Sequence, residues 1–251
     1  MKILGTRIDH VTMQEAMHIA TDGMKDKPPF VVVTPNSEIV VKANENLLLM
    51  NIIDNAGLVV PDGIGLVIGS KLVGQPLRER VTGIDLMDRL LAYATDNGSR
   101  IFFLGGKPTI AERAAEHTIE KYRNINIVGT HHGYFKGMHT GDPEHSDERA
   151  VVELIKSLDV DMLFVALGAP NQELFIDRYK DELGAKLLMG VGGSLDVISG
   201  TVKRAPEFWQ KIGMEWLYRM IKEPVRIKRA GALPIFAVNV LIHRDKPMKK
   251  K

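Results

Sequence analysis

The sequence of 251 residues contains no cysteine, and this absence excludes several classes of protein. Without thiols there is no disulfide scaffold, no thiol catalysis and no zinc or iron–sulfur centre with cysteine ligands. Long apolar runs are lacking as well. The first residues, MKILGTRIDHVTMQEA, turn polar after four positions, and the run ALPIFAVNVLI at 232–242 is too short to span a bilayer and contains Pro234. We therefore expect no signal peptide and a protein that stays in the cytoplasm.

Several familiar motifs are also missing. No GxGxxG follows the first predicted strand, and this absence argues against a dinucleotide-binding oxidoreductase. No GxSxG elbow is present, so Ser194 is a poor candidate for a nucleophile. The DVD at 159–161 resembles a metal-binding DxD but precedes its strand, at the wrong end of the sheet, and His131 and His132 lack metal-ligand spacing. We therefore predict neither a metal site nor a cofactor.

What the chain does contain is an uneven distribution of charge. Residues 201–251 carry 13 Lys or Arg and 4 Asp or Glu, a net charge of +9, whereas residues 1–200 have a net charge of −7. Both tryptophans, Trp209 and Trp216, fall in a segment, 206–222, with the pattern of one amphipathic helix. We predict an α/β catalytic domain at 1–200 and a basic amphipathic appendage at 201–251 that associates with a membrane.

Two other interpretations of this tail remain open. The apolar stripe of its helix can instead pack on the body or on a neighbouring subunit, so a homo-oligomer is among the expectations. Basic charge also suits a nucleic-acid arm, but the tail has no recognisable nucleic-acid-binding motif, and we expect no nucleic-acid partner.

Strand-length apolar runs alternate with segments of helical pattern along the rest of the chain. The strands are predicted at 30–35, 58–61, 100–106, 125–130, 161–170 and 186–193, and helices at 84–94, 109–122, 150–158 and 171–183. Several of the runs are continuously apolar, as expected for strands covered on both faces. The alternation predicts a Rossmann-like α/β fold with a mostly parallel sheet and a C-terminal amphipathic helical appendage.

Polar residues and glycines follow these strands, where open parallel sheets bind their ligands. Asp62 in LVVPDGIG lies just past one predicted strand, and Thr34 and Asn36 lie just past another; glycine turns occur at Gly105, Gly106, Gly168, Gly192 and Gly193. Such turns bring backbone N–H groups to an anion, so a phosphate or diphosphate is the expected ligand. Each feature also has a purely structural interpretation: a helix cap for Asp62, Thr34 or Asn36, and a plain turn for the glycines.

Eight segments in order resemble the motifs of the WecG/TagA/CpsF glycosyltransferase family. They are TPNSEIV, VVPDGIGLV, RVTGIDLM, FLGGKP, VGTHHGYF, LGAPNQE, GVGGSLDVISG and RAP…GMEWLYRMIKEP, between Thr34 and Arg229. The resemblance implies an inverting enzyme without an essential metal that transfers N-acetylmannosamine from a UDP-sugar donor to a GlcNAc–diphosphate–undecaprenol acceptor. It also implies a peripheral position on the inner face of the cell membrane.

The same resemblance assigns roles to particular residues. Its proposed base falls on Asp62, its sugar-contacting residues on Thr34 and Asn36, and its diphosphate arginine on Arg80, although Arg78 and Arg80 can also form a solvated face. Further substrate-binding residues are Gly105, Gly106, Tyr134, Gly168, Gln172, Gly192, Gly193, Arg219, Arg226 and Arg229. The family often has Lys at the position of Asn171 and an aromatic at that of Leu195, so N-acetylmannosaminuronic acid and glucose remain alternative donor sugars.

Overall fold

The computed structural model describes residues 1–222 and 231–248. A short antiparallel pair, β1 (Lys2–Ile3) and β2 (Thr6–Arg7), precedes the main sheet. The sheet strands are β3 (Phe30–Val33), β4 (Leu58–Val59), β5 (Arg100–Gly105), β6 (Asn126–His131), β7 (Met162–Ala166) and β8 (Leu187–Gly190). They are all parallel, in the order β4–β3–β8–β7–β5–β6. The predicted parallel α/β sheet is confirmed.

Helices cover both faces of this sheet. In chain order they are α1 (Met13–Asp26), α2 (Ser37–Glu45), α3 (Leu47–Asn55), α4 (Ile64–Val73), α5 (Gly83–Asn97), α6 (Ile110–Lys121), α7 (Ser146–Ser157), α8 (Asn171–Leu183), α9 (Ser194–Ile198), α10 (Glu207–Lys211), α11 (Glu215–Lys222) and α12 (Ala232–His243). A 3₁₀ turn spans Met138–Thr140.

The core is divided between the two faces of the sheet because side chains alternate along each strand. Phe103 and Phe164 point to the face covered by α1, α5 and α6, and their rings meet edge to face with centroids 5.9 Å apart. Phe102 and Leu163 point to the opposite face, towards α7 and α8. Burial on both faces explains the continuously apolar strand sequences.

Local capping explains where several helices begin. Thr12 and Glu15 form a reciprocal capping box at the start of α1. Asn36, Asn46 and Thr82 accept backbone N–H groups at the starts of α2, α3 and α5. Such polar caps satisfy backbone donors that the helix leaves unpaired.

The single helix predicted at 206–222 is wrong, because the structure has two short helices, α10 and α11. Between them Gly213 adopts a left-handed conformation with φ of +72°. An added Cβ at this glycine would lie 2.8 Å from Ile64. The turn therefore needs a glycine both for its backbone conformation and for its close approach to α4.

The described end of the tail lies against the body. Helix α12 tolerates Pro234 in its first turn, where a missing N–H is harmless, and it buries Phe236 and Val240 against α2 and α4. Beyond it, Arg244 and Asp245 carbonyls accept the N–H groups of Leu4 and Gly5 at 2.8 and 2.9 Å. The division of the chain at residue 200 stays a prediction. Within the two described ranges, no helix is long and apolar enough to cross a membrane.

Candidate functional site

A cavity of about 360 Å³ opens at the carboxyl ends of β3, β4 and β8. Its polar wall comes from residues that directly follow these strands, and α11 and α12 supply an apolar wall that includes Trp216, Met220 and Leu233. The cavity brings together eight of the predicted site residues: Thr34, Asn36, Asp62, Arg80, Gly168, Gln172, Gly192 and Gly193. The rule that parallel sheets bind ligands at this edge therefore located the cavity correctly.

Thr34 and Asn36 occupy the β3 side of the cavity but are held in different ways. The Thr34 hydroxyl donates to the Gly190 carbonyl at 3.1 Å, so this buried side chain joins the ends of β3 and β8 and caps no helix. Asn36 is the cap of α2, because its Oδ1 accepts from Ile39 N at 3.0 Å. Its Nδ2 has no hydrogen-bond partner among the described residues, and Asn36 is one of the residues that line the cavity.

Asp62 lies half-buried on the cavity, just past β4. Its backbone N–H donates to the Pro35 carbonyl at 3.1 Å, and Val60 N donates to the Val33 carbonyl at 3.0 Å, so the β3–β4 pairing continues beyond the strands. The cap position of α4 belongs to Gly63, whose φ is +128°. The helix-cap interpretation of Asp62 is therefore wrong, and the carboxylate is carried on a backbone fixed by the sheet.

Arg80 connects the body to the tail, whereas Arg78 does not. The Arg80 side chain is only 18% exposed, its Nη2 donates to the Gln210 carbonyl at 3.2 Å, and it lies 4.0 Å from Glu215 Oε2. Arg78 instead pairs with Glu15 at 2.9 Å and is half exposed. The solvated-face interpretation holds for Arg78, and Arg80 brings a guanidinium to the cavity wall.

The β8 side of the cavity is supported by a buried hydrogen-bond chain. Gln172 accepts the Gly192 N–H on Oε1 at 3.0 Å and donates from Nε2 to Glu173 Oε1 at 2.9 Å. Burial raises the pKa of Glu173, with the nearby Lys42 acting in the opposite direction. Since the Gly192 N–H already has this partner, it is not available to bind an anion.

The remaining predicted glycines and Tyr134 form a separate group at the ends of β5 and β6. Gly106 donates to the Ala166 carbonyl at 3.1 Å and accepts from Gly133 N at 2.8 Å. An added Cβ at Gly105 would lie 2.4 Å from the Ala166 oxygen. The plain-turn interpretation therefore suffices for these two glycines. Exposed Tyr134, one residue after Gly133, lines a second, shallower pocket with His131 and His132.

The remaining sequence predictions concern the three tail arginines and the DVD motif at 159–161. Arg219 lies on α11, while Arg226 and Arg229 fall outside the described residues. Asp161 precedes β7 at the amino edge of the sheet, where it accepts from Arg100 N at 2.8 Å and pairs with Lys186 at 2.7 Å. Asp161 thus lies at the edge of the sheet opposite the cavity, as predicted from its position before the strand.

The sequence did not identify Glu173 or the apolar wall. Glu173 directly follows Gln172 in the first turn of α8, and only the packed helix shows that this acid is 2% exposed. Leu233 reaches the cavity because α12 returns to the body, a contact that a local hydrophobic pattern does not specify, and Met220 lines the cavity from α11. The sequence held one weak signal: Glu173 ends the LGAPNQE motif, whose Gly168 and Gln172 were assigned to substrate binding, but Glu173 itself was assigned no role.

A parallel α/β sheet with a carboxylate and an arginine at one cavity on its carboxyl edge fits the class of enzymes that transfer a group to or from an anionic ligand. The comparison with known families is consistent with this class. The chain belongs to the glycosyl transferase WecG/TagA/CpsF family, whose model matches residues 1–250. The resemblance in the motifs is thereby confirmed, and the oxidoreductase alternative is set aside.

Individual relatives give the same result over most of their length. A protein of Bacillus spizizenii strain W23 is 37% identical over 226 residues, which are 90% of this chain and 84% of the relative. A protein of Staphylococcus aureus strain MRSA252 is 34% identical over 251 residues, covering 99% and 95% of the two chains. Both relatives are named N-acetylglucosaminyldiphosphoundecaprenol N-acetyl-beta-D-mannosaminyltransferase.

Proposed function

We propose that this chain transfers N-acetylmannosamine from UDP-N-acetylmannosamine to GlcNAc–diphosphate–undecaprenol, with inversion, in the synthesis of the wall teichoic acid linkage unit. The names of relatives matched over 84% and 95% of their lengths support the acceptor and the transferred sugar. The observation that carries the proposal for this chain is the position of Asp62. Asp62 lines the same cavity as Asn36 and Arg80.

Asp62 is proposed as the general base. Its carboxylate takes the proton of the acceptor hydroxyl while that oxygen forms a bond to the anomeric carbon of the donor. The bond from that carbon to the UDP oxygen breaks on the opposite side, and UDP leaves with the electron pair. A positioned base of this kind contributes roughly 10²–10⁴ in rate. The rigid pairing of Asp62 N with Pro35 suits this role, because a base acts only within hydrogen-bond reach of its proton.

Arg80 is proposed to stabilise the charge that develops on the leaving diphosphate. Its side chain is largely buried, where a charge interacts more strongly than in water, and the Gln210 carbonyl orients its guanidinium. Loss of one such donor raises a barrier by about 3 kcal/mol. We expect Arg80→Ala to lower kcat by roughly 10² for this reason.

Arg219, Arg226 and Arg229 are proposed as further diphosphate-binding residues. The path of the described chain supports this proposal for the last two. Met220 and Ala232 both line the cavity, and Arg226 and Arg229 fall between them in the sequence.

The test is a transfer assay with a GlcNAc–diphosphate–lipid and three donors, UDP-N-acetylmannosamine, UDP-N-acetylmannosaminuronic acid and UDP-glucose. We expect product from the first donor, and product from another donor alone would refute the proposed donor. Asp62→Asn is expected to lose transfer by about 10² or more while it retains UDP binding in calorimetry. Asp26→Asn is the matched control, because Asp26 is exposed at the end of α1, away from the cavity.

We also propose that the tail docks the enzyme on the inner face of the cell membrane. Helix α12 buries one side and exposes an apolar face on the other, formed by Ile235, Val238, Leu241 and Ile242. An apolar face on a segment with a net charge of +9 suits the headgroup region of anionic lipid.

Vesicle sedimentation tests this docking. Leu241→Glu combined with Val238→Glu is expected to reduce binding to phosphatidylglycerol vesicles by at least about tenfold, because two charges enter the apolar contact. Ile119→Glu is the control, since Ile119 is equally apolar and exposed but lies on α6. Undiminished sedimentation of the double variant would show that this face is not the anchor.

A further inference from the structure

Glu173 is a buried acid that the proposed reaction does not use. Its side chain accepts one hydrogen bond, from Gln172 Nε2 to Oε1 at 2.9 Å, and its Oε2 has no hydrogen-bond partner in the described parts of the chain. Burial raises its pKa. The facing cation, Lys42, is itself paired with Glu38 at 2.8 Å and donates to the Ala169 carbonyl at 3.3 Å. Burial of an acid with so few partners is destabilising to the fold, which raises the question of what its one hydrogen bond does.

That hydrogen bond determines the orientation of the Gln172 amide. An amide presents a carbonyl at one end and an NH₂ group at the other. Because the Glu173 oxygen accepts from the NH₂ end, the carbonyl end faces the Gly192 N–H, 3.0 Å away. The amide fits tightly, since an added Cβ at Gly190 would lie 2.6 Å from Gln172 Nε2. A flipped amide would bring two donors together at Gly192.

Gly192, whose N–H binds the oriented Gln172 amide, lines the cavity. The residue has φ of +50° and starts the turn between β8 and α9. Gln172, Gly192 and Gly193 line the cavity, and Glu173 is not part of the lining formed by the described residues. Glu173 is therefore connected to the residues that line the cavity by its hydrogen bond with Gln172.

We propose that Glu173 is a positioning residue that fixes the Gln172 amide, and through it the Gly192 turn, in the shape that receives the diphosphate of the donor. The diphosphate as ligand rests on the proposed function, whereas the link from Glu173 to Gly192 does not. Gln172, which the family resemblance assigns to substrate binding, then acts mainly by linking Glu173 to Gly192 through its two hydrogen bonds.

A double-mutant cycle tests whether Glu173 acts through Gln172. Glu173→Leu is expected to lower kcat/KM about tenfold, the value of one well-placed hydrogen bond. In a Gln172→Leu background the same change is expected to alter kcat/KM by less than about twofold, because the amide through which Glu173 acts is already absent. Glu173→Gln, which keeps an acceptor oxygen, is expected to keep kcat/KM within about threefold of wild type. Equal losses in both backgrounds would overturn the proposal.

Hydrogen exchange at the Gly192 amide gives a readout that needs no sugar donor. Glu173→Leu is expected to speed exchange of this amide about tenfold, and Glu173→Gln is expected to leave it unchanged. Glu148→Gln is the matched control, because Glu148 is fully buried but binds Tyr179 and the Met138 N–H away from the cavity. Unaltered exchange in Glu173→Leu would refute the proposal.

The two measurements separate the failure of this inference from failure of the proposed function. If wild-type enzyme does not transfer N-acetylmannosamine, the proposed function fails, while the exchange of Gly192 still decides the role of Glu173. If Glu173→Leu does not fold, Glu173→Met replaces it, since an unbranched side chain adapts to an irregular space. Exchange at Gly192 in that variant then supports or refutes the link in the same way.

Discussion

Replacing Phe236 with alanine tests whether the tail helix α12 is an integral part of the fold. Phe236 is 2% exposed and packs in one cluster with Ile3 and Val40. Its ring lies so close to α4 that an added Cβ at Gly69 would be 2.9 Å away. Truncation of such a buried aromatic removes its contacts and leaves a cavity, which costs about 3–5 kcal/mol of unfolding free energy. For a domain of this size the melting temperature should fall by roughly 6–20 °C.

The assay is thermal and urea unfolding followed by circular dichroism, with Ile235→Ala as the matched control. Ile235 is the preceding residue on the same helix but is 51% exposed, so its truncation should change stability by no more than about 0.5 kcal/mol. If Phe236→Ala has the same melting temperature and the same urea midpoint as the wild type, α12 does not belong to the cooperative unit. The reasoning from its burial would then be refuted.

Three further predictions concern the sheet edge. Gly105→Ala should destabilise the fold by about 3 kcal/mol or more in urea unfolding, because its φ is +128° and the added Cβ meets Ala166 O at 2.4 Å; an unchanged midpoint would contradict this. Thr34→Val should lower the free energy of unfolding by about 1–3 kcal/mol, because it removes the buried hydroxyl that donates to the Gly190 carbonyl. An unchanged free energy of unfolding in the same assay would disprove that hydrogen bond. The raised pKa of Glu173 means that the native state holds its proton where the unfolded state has lost it, so this acid makes stability fall as pH rises from about 4.5 towards the native pKa. Glu173→Gln should remove that part of the slope in unfolding curves measured across pH, and an unchanged slope would exclude Glu173 as its source.

The sheet and its active edge were predictable because their signals are local. The run ending at Val33 and the run ending at Val59 are continuous and apolar, so both were identified as buried strands. Asp62 and Thr34 then followed from the rule that polar residues after parallel strands converge. Even so, the sequence did not distinguish their local roles: Asn36 is a cap, and Asp62 is not.

The tail was less predictable because its structure depends on distant contacts. Its helical periodicity continues through residue 213, but the glycine there turns the chain against Ile64. The apolar run around Phe236 has no regular amphipathic pattern, and its helix is selected by packing on α2 and α4. Tertiary contacts of this kind override the local pattern.

The bond between Leu4 N and the Arg244 carbonyl has a consequence for how the protein is made. A ribosome adds roughly 5–20 residues per second, so tens of seconds separate the synthesis of these two partners. Until Arg244 is made, the edge of the first hairpin lacks this hydrogen-bond partner, even after Phe103 and Phe164 of the sheet core have been synthesised. A segment made late thus completes a hairpin made much earlier, and we infer that a nascent chain released before Arg244 is more exposed to edge-to-edge association than one that includes it.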